Sequence, residues 1–288
     1  MPKDIWPGGA RLALSLVVNV EEGSEMSIAR GDRGPEPVDE LGVALSKPIR
    51  NYGNESNYLY GIKAGAPRVF GLIGTYGYCT TVTAAAQSLE TYPEVARLIV
   101  EGGHEAAAHG WRWVHQFRMD EDAERAFILR AADSIEATTG TRPTGWLSRY
   151  LLTENTRRLL IEEGFGYHMD DYSDDRPFVD AVTVSGKSIV VLPYALDTND
   201  MKMWTDPAYT PEMWATYACD SIDWMLREGR DSPKMLSIGL HLRIIGRPGR
   251  MAALERVLEH VRQAGEAVWV ARRAEIAQRW ATVRGDAA

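Results

Sequence analysis

The stretch Leu12–Gly23 reads LALSLVVNVEEG. Nine residues from Leu12 to Val20 are almost all apolar, with no alternation of polar and apolar positions. A strand of that kind is buried on both faces, as in a parallel sheet covered by helices. It then runs straight into two carboxylates and a glycine. Downstream, apolar segments alternate with helical patterns. Strands are predicted at Thr80–Ala85, Glu105–His109, Thr144–Ser148, Gly166–Asp170, Ser188–Leu192, Met235–His241 and Ala267–Val270. Helices are predicted at Tyr58–Ile73, Pro93–Gly102, Glu121–Thr139, Glu154–Glu163, Pro211–Glu228, Arg250–Gln263 and Ala274–Trp280, several of them closed by Gly. A polar loop fills Glu21–Arg50. This alternation implies parallel strands joined by right-handed crossovers. The count is too high for a small open sheet and suits a barrel, and no G-x-G-x-x-G turn follows the first strand. The expectation is one α/β domain over residues 1–288, a single (β/α) barrel of seven to eight strands.

Composition narrows the function. Hydrophobic residues make up 45% of the 288 and charged residues 25%, as in ordinary globular proteins. The longest apolar run is five residues, Ala267–Ala271, far short of a membrane span. The opening residues lack the apolar stretch of a signal peptide, so the expected compartment is the cytoplasm. Two distant cysteines, Cys79 and Cys219, exclude a disulfide framework and a cysteine zinc site. The net charge of −8 and the lack of a basic run argue against nucleic acid or an anionic membrane as partner. A small-molecule substrate is expected instead.

In such a barrel the active site lies at the C-terminal ends of the strands. Six predicted strand ends carry ionisable or amide groups: Glu21-Glu22, His109, Arg149, Asp170-Asp171, Asp197 with Asn199 and Asp200, and His241 with Arg243. A barrel serving structure alone does not need them there. The other histidines read as structural: His104 leads into a strand, His168 lies inside one, and His260 sits on an amphipathic helix.

The segments VNVEEG (Val18–Gly23), AAAHGWRW (Ala106–Trp113), RPTGWLSR (Arg142–Arg149), YHMDD (Tyr167–Asp171) and SIGLHLRIIGRPGRM (Ser237–Met251) resemble, in order, the motifs of the polysaccharide deacetylase (NodB-homology) superfamily. The resemblance spans about Trp6 to Arg284. It is closest to the cofactor-independent allantoinase-like branch, through the Asn-x-Glu-Glu-Gly start, Leu196–Asp200 (LDTND) and the Gly-Leu-His-x-Arg-x-Ile-Gly-Arg-Pro stretch. It implies a NodB-like barrel that hydrolyses carbon–nitrogen bonds in amides or cyclic amides, in enzymes that form homo-oligomers. The metal-dependent deacetylases carry Asp-Asp where this chain has Glu21-Glu22, and a second histidine where it has Trp113. Zinc needs three protein ligands and an open position. Glu22 and His109 would supply two, and His115 stands two residues beyond the motif position. No cofactor is therefore expected; zinc or another divalent ion, if held, would sit on Glu22 and His109.

Amide hydrolysis needs a base for water, donors for the oxyanion and an acid for the leaving nitrogen. The resemblance makes Glu21 or Glu22 the base, with mutual repulsion raising one of the two pKa values. It makes His241 the acid, and leaves His109 to orient water or bind the carbonyl. Glu55, Trp113, Arg149, Asp170, Asp171, Asn199, Asp200 and Arg243 are the candidate substrate-binding residues. Asp170 and Asp171 are alternatively carboxylates that steady His109 or Arg149. The bulky run Leu147–Leu152 replaces a more polar stretch of the allantoinase branch, which points to a substrate less polar than allantoin. Two other readings stay open: a metal-dependent N-deacetylase acting on an N-acetylated sugar, and a catalytically silent small-molecule-binding barrel.

Overall fold

The computed structural model describes residues 5–40, 42, 47–205 and 207–285. The first four residues and part of the polar loop, at 41 and 43–46, lie outside the described residues. The central strand β1 (Leu12–Val20) is buried at every position. Its even-numbered side chains, Leu12 through Val20, join the larger core under the helices, while Ala13 and Val17 point into the barrel with Tyr167, Leu192 and Met235. This two-sided burial is why the strand shows no hydrophilic face.

Parallel partners surround β1. On one side it pairs along Leu12–Asn19 with β8 (Lys234–His241). On the other it pairs above with β2 (Thr81–Ala84) and below with β9 (Val268–Val270). From β2 the sheet continues through β3 (Glu105–Ala108), β4 (Gly145–Trp146), β5 (Tyr167–His168), β7 (Val190–Val191) and β6 (Phe178–Val179). No ladder joins β6 to β8 among the described residues, so the barrel is curled and open. The α/β barrel expectation holds, with two differences. The distal strands shrink to two residues each. A strand unseen in the sequence, β6, runs antiparallel to β7 through the bridge Val184–Lys187 and the positive-φ pair Ser185-Gly186.

Helices cover the outer face. α1 (Tyr52–Tyr60) passes through a π turn, Gly61–Gly65, into α2 (Ala66–Thr75). The remaining helices are α3 (Ala86–Thr91), α4 (Pro93–Glu101), α5 (Glu121–Thr139), α6 (Thr156–Glu162), α7 (Pro211–Glu228), α8 (Leu242–Ile245), α9 (Pro248–Ala264) and α10 (Arg273–Arg284). α5 opens on an Asp120 cap and closes, as the sequence suggests, on a glycine, Gly140, in the left-handed region. α10 stoppers the N-terminal end of the barrel: Ile276, Ala277 and Trp280 pack against Ala13 and Met235, with Trp6 beside Trp280. The opposite end, where β1, β3 and β8 finish, is left for a site. Among the described residues no helix is long and apolar enough to cross a membrane.

Candidate active site

Each long strand delivers one side chain to the open end. Odd-numbered residues of β1 face the barrel, so Asn19 and then Glu21 rise toward the mouth. His109 follows β3 and His241 ends β8. Glu21 is buried between them, with Oε1 at 3.7 Å from His109 Nε2 and 3.5 Å from His241 Nε2. Its Oε2 forms an ion pair of 2.8 Å with Arg243 Nη1.

The tautomers follow from the partners. His109 Nδ1 donates to the Leu147 carbonyl at 2.7 Å, because a carbonyl only accepts. Its Nε2 accepts the Trp113 indole N–H at 3.1 Å, so the lone pair is on Nε2. His241 donates twice to Asp200: the backbone N–H to Oδ2 and Nδ1–H to Oδ1, both at 2.7 Å. Asp200 is wholly buried. Burial opposes a charged His241, but the carboxylates of Asp200 and Glu21 win and push its pKa up to about 9. Burial likewise opposes a charged Glu21, yet Arg243 and His241 hold it well below the usual carboxylate range. The repulsion expected within the carboxylate pair falls instead on Glu22. Desolvation, with Glu21 adding to it, outweighs Arg243 and raises the Glu22 pKa.

Glu21, His109 and His241 floor a cavity of about 260 Å³. Of the residues singled out from the sequence, Glu21, His109, Trp113, Arg149, Asn199 and His241 line it. Six others do not. Glu22 turns away beneath the π turn, accepting the Glu21 and Arg243 backbone N–H groups at 3.1 and 3.3 Å. Glu55 pairs with Arg50 at 2.7 Å on the outside of the molecule. Asp170 accepts the Ser148 N–H at 2.8 Å. Asp171 faces Arg157 at 3.4 Å. Neither aspartate bonds His109 or Arg149. Asp200 stands behind His241, and Arg243 is fully buried behind Glu21, its guanidinium 4.3 Å over the Tyr58 ring. Arg149 reaches the cavity but spends its guanidinium on Glu36, at 2.5 Å, and on the Trp113 carbonyl. His115 bonds the Arg149 carbonyl and takes no part in the floor.

Leu147 and Tyr150, from the bulky run the sequence places toward the substrate, also line the cavity. Sequence reasoning passed over other wall residues: Asn19, Tyr172, Tyr194, Leu196, Met201 and Lys202. Asn19 was visible as the one polar residue late in an apolar strand. Tyr194 follows Leu192-Pro193 at the end of β7, where a residue after a strand should have been read like the others. Tyr150 adopts φ +59°, a strained value for a bulky residue at the cavity mouth.

The donor set does not fit a catalytic zinc. The His109 lone pair already faces an indole N–H, and the Trp113 ring stands where a second imidazole would be needed. The acidic pair already holds a cation: the Arg243 guanidinium lies 2.8 Å from Glu21 and 3.5 Å from Glu22. A divalent ion there would have to displace that guanidinium or endure its charge. Among the described residues no group of three His, Cys, Asp or Glu is arranged to hold a metal ion.

Known proteins share this architecture. The polysaccharide deacetylase family profile matches residues 57–169. The crystal structure of the PuuE allantoinase superposes with a TM-score of 0.92 at 41% identity, covering 98% of this chain and 94% of that one. A Pseudomonas aeruginosa structure described as a polysaccharide deacetylase gives 0.92 at 42% identity, covering 98% and 95%. A protein of Schizosaccharomyces pombe named as a polysaccharide deacetylase is 32% identical over 96% of this chain and 92% of its own length. By that near end-to-end likeness, the chain belongs to the polysaccharide deacetylase family.

Proposed function

We propose that this protein hydrolyses a carbon–nitrogen bond in a small cyclic amide or imide, without a metal ion. The coarse activity, hydrolysis of a carbon–nitrogen bond, agrees with the family and with the likeness to an allantoinase. One observation carries the finer reading: Glu21 is flanked by two imidazoles and a guanidinium at the cavity floor, where a metal-dependent relative needs an ion.

In this reading Glu21 is ionised and takes a proton from water as the water oxygen bonds the carbonyl carbon. His241, protonated at neutral pH, gives its proton to the departing nitrogen as the carbon–nitrogen bond breaks. The proton on Glu21 then returns to His241 across the 3.5 Å that separates them. A carboxylate held so low is a weak base, so its contribution comes from position more than from basicity. Arg243 keeps it charged and aimed, and His109 with Trp113 fixes the side of the carboxylate open to water. The wall of Leu147, Tyr150, Tyr172, Leu196 and Met201 favours a ring that carries apolar surface over a highly polar ureide.

The test is a substrate panel of succinimide, phthalimide, hydantoin, allantoin and N-acetylglucosamine oligomers, each with and without a chelator. Chelator-resistant turnover of an imide or hydantoin, faster than that of allantoin, is the expected result. Activity confined to the N-acetyl sugars and abolished by chelation would falsify the reading. Allantoin turnover comparable to that of an allantoinase would remove the preference for a less polar ring.

A further inference from the structure

The mechanism above leaves one need unfilled, a donor for the oxygen that becomes negative as water adds. Arg149 is committed to Glu36, and Arg243 is sealed behind Glu21. The hydrogen-bond pattern around Tyr194 identifies a better candidate.

Tyr194 lines the cavity and is only 6% exposed. Its hydroxyl oxygen lies 3.1 Å from Asn19 Nδ2 and 3.1 Å from Asn199 Nδ2. The orientation of each amide is fixed by another partner. Asn19 Nδ2 also donates to the Leu240 carbonyl at 3.2 Å, and a carbonyl only accepts. Asn199 Oδ1 accepts the Met201 backbone N–H at 2.9 Å, and an N–H only donates. Both NH₂ groups therefore point at the phenol oxygen and occupy its lone pairs. The Tyr194 proton has to go elsewhere, and among the described residues no acceptor is in hydrogen-bond reach of it. The direction left to it is the cavity.

The backbone is shaped around this arrangement. Gly239 on β8 lies against it, and a Cβ there would stand 2.3 Å from Tyr194 Oη and 2.6 Å from Asn199 Nδ2. Only a residue without a side chain lets the phenol and the amide cross the strand. Thr83 adds a further clamp, donating to Asn19 Oδ1 at 2.7 Å. Asn19 lies two residues before Glu21 on the same chain segment, and Tyr194, Glu21 and His241 line the same cavity.

We infer that Tyr194 is a catalytic hydrogen-bond donor to the oxyanion, with Asn19, Asn199 and Gly239 as the residues that position it. This rests on the hydrolase reading above. As the water oxygen bonds the carbonyl carbon, the carbonyl π pair moves onto oxygen and is met by the Tyr194 O–H. When that pair returns, the carbonyl re-forms and the carbon–nitrogen bond breaks. The donor is fixed before the reaction, so little reorganisation opposes it. Burial keeps the phenol neutral, raising its pKa against the pull of the Asn19 hydrogen bond. A neutral phenol still has the proton to donate.

Tyr194→Phe keeps the ring and removes the donor. On an imide that the wild type hydrolyses, with succinimide and phthalimide as probes, kcat should fall about 100-fold or more, while KM stays within about three-fold. The pH limbs set by Glu21 and His241 should stay in place. A kcat within about three-fold of wild type, or a change in KM alone, overturns the assignment. If the variant does not fold, neutron diffraction of the perdeuterated wild type decides. A Tyr194 deuteron pointing into the cavity supports the assignment, and one pointing at either asparagine overturns it. A wild type inactive on every probe overturns the hydrolase reading and this role with it. An active wild type beside an unaffected Tyr194→Phe overturns this role alone.

Discussion

At the scale of single residues, the adjacent carboxylates differ more than their sequence suggests. Glu21 and Glu22 follow one another, but alternation along the chain sends one to the cavity and the other under the π turn. From sequence they were equivalent candidates for the base, and pair repulsion looked like the way to tune it. The side on which Arg243 and the two imidazoles stand depends on three strands meeting, and no single motif states it. The pH dependence follows from the same contacts. Glu21 is ionised throughout the mildly acidic range, so kcat/KM should be flat there. His241 must be protonated to act as acid, and its raised pKa means activity is lost as pH climbs through about 9. Asp200 is the first of the two carboxylates that hold it up. Asp200→Asn should move the alkaline limb down toward the ordinary imidazole value of ~6.5, leaving roughly a tenth of the acid form at pH 7.5. The measurement is a pH–rate profile of both proteins. An alkaline limb unmoved by Asp200→Asn would mean that another group titrates there.

At the scale of elements, the long segments were legible and the short ones were not. β1, β8, α5, α7 and α9 carry strong apolar patterns with caps at their ends, and they fall within a few residues of expectation. β6 was hidden in a polar stretch because a two-residue strand pairing with one neighbour needs no hydrophobic pattern. The helix expected at Tyr58–Ile73 starts earlier, at Tyr52, and contains a π turn. Gly61 lets the turn pack closely over the site. A Cβ at Gly61 would sit 2.4 Å from Glu22 Oε1, so the glycine lets the helix rest on a buried carboxylate. Gly61→Ala should therefore press on the Glu22–Arg243 contact and, through it, on Glu21. Overpacking of this kind costs about 1–3 kcal/mol. The variant should unfold at lower urea with an unchanged slope and should lose kcat as well. Unaltered stability together with unaltered kcat would show that the contact yields freely.

At the scale of the whole molecule, the two ends of the barrel divide the work. The C-terminal strand ends hold the charged cluster, while α10, Trp6 and Trp269 fill the other end. That division was readable once alternating strands and helices implied a barrel, because the polar residues all followed strands. The openness between β6 and β8 was not readable, since closure depends on strand pairs that hydrophobic pattern does not encode. A division of labour makes a prediction that separates stability from chemistry. Trp280 is 2% exposed in the bottom plug, and its indole N–H has no hydrogen-bond partner among the described residues. Replacing it by alanine removes packing without orphaning an acceptor, so the loss should be that of a large aromatic leaving a cavity, about 3–5 kcal/mol. Glu21, His109 and His241 hang from the far ends of β1, β3 and β8 and make none of their contacts with α10. Trp280→Ala should thus lower the unfolding midpoint strongly while the folded fraction keeps its kcat and KM. Denaturant titration and kinetics well below the new midpoint measure the two effects separately. A parallel loss of kcat in the folded protein would mean that the plug sets the geometry of the site through the strands, and the barrel would then have to be treated as one mechanical unit.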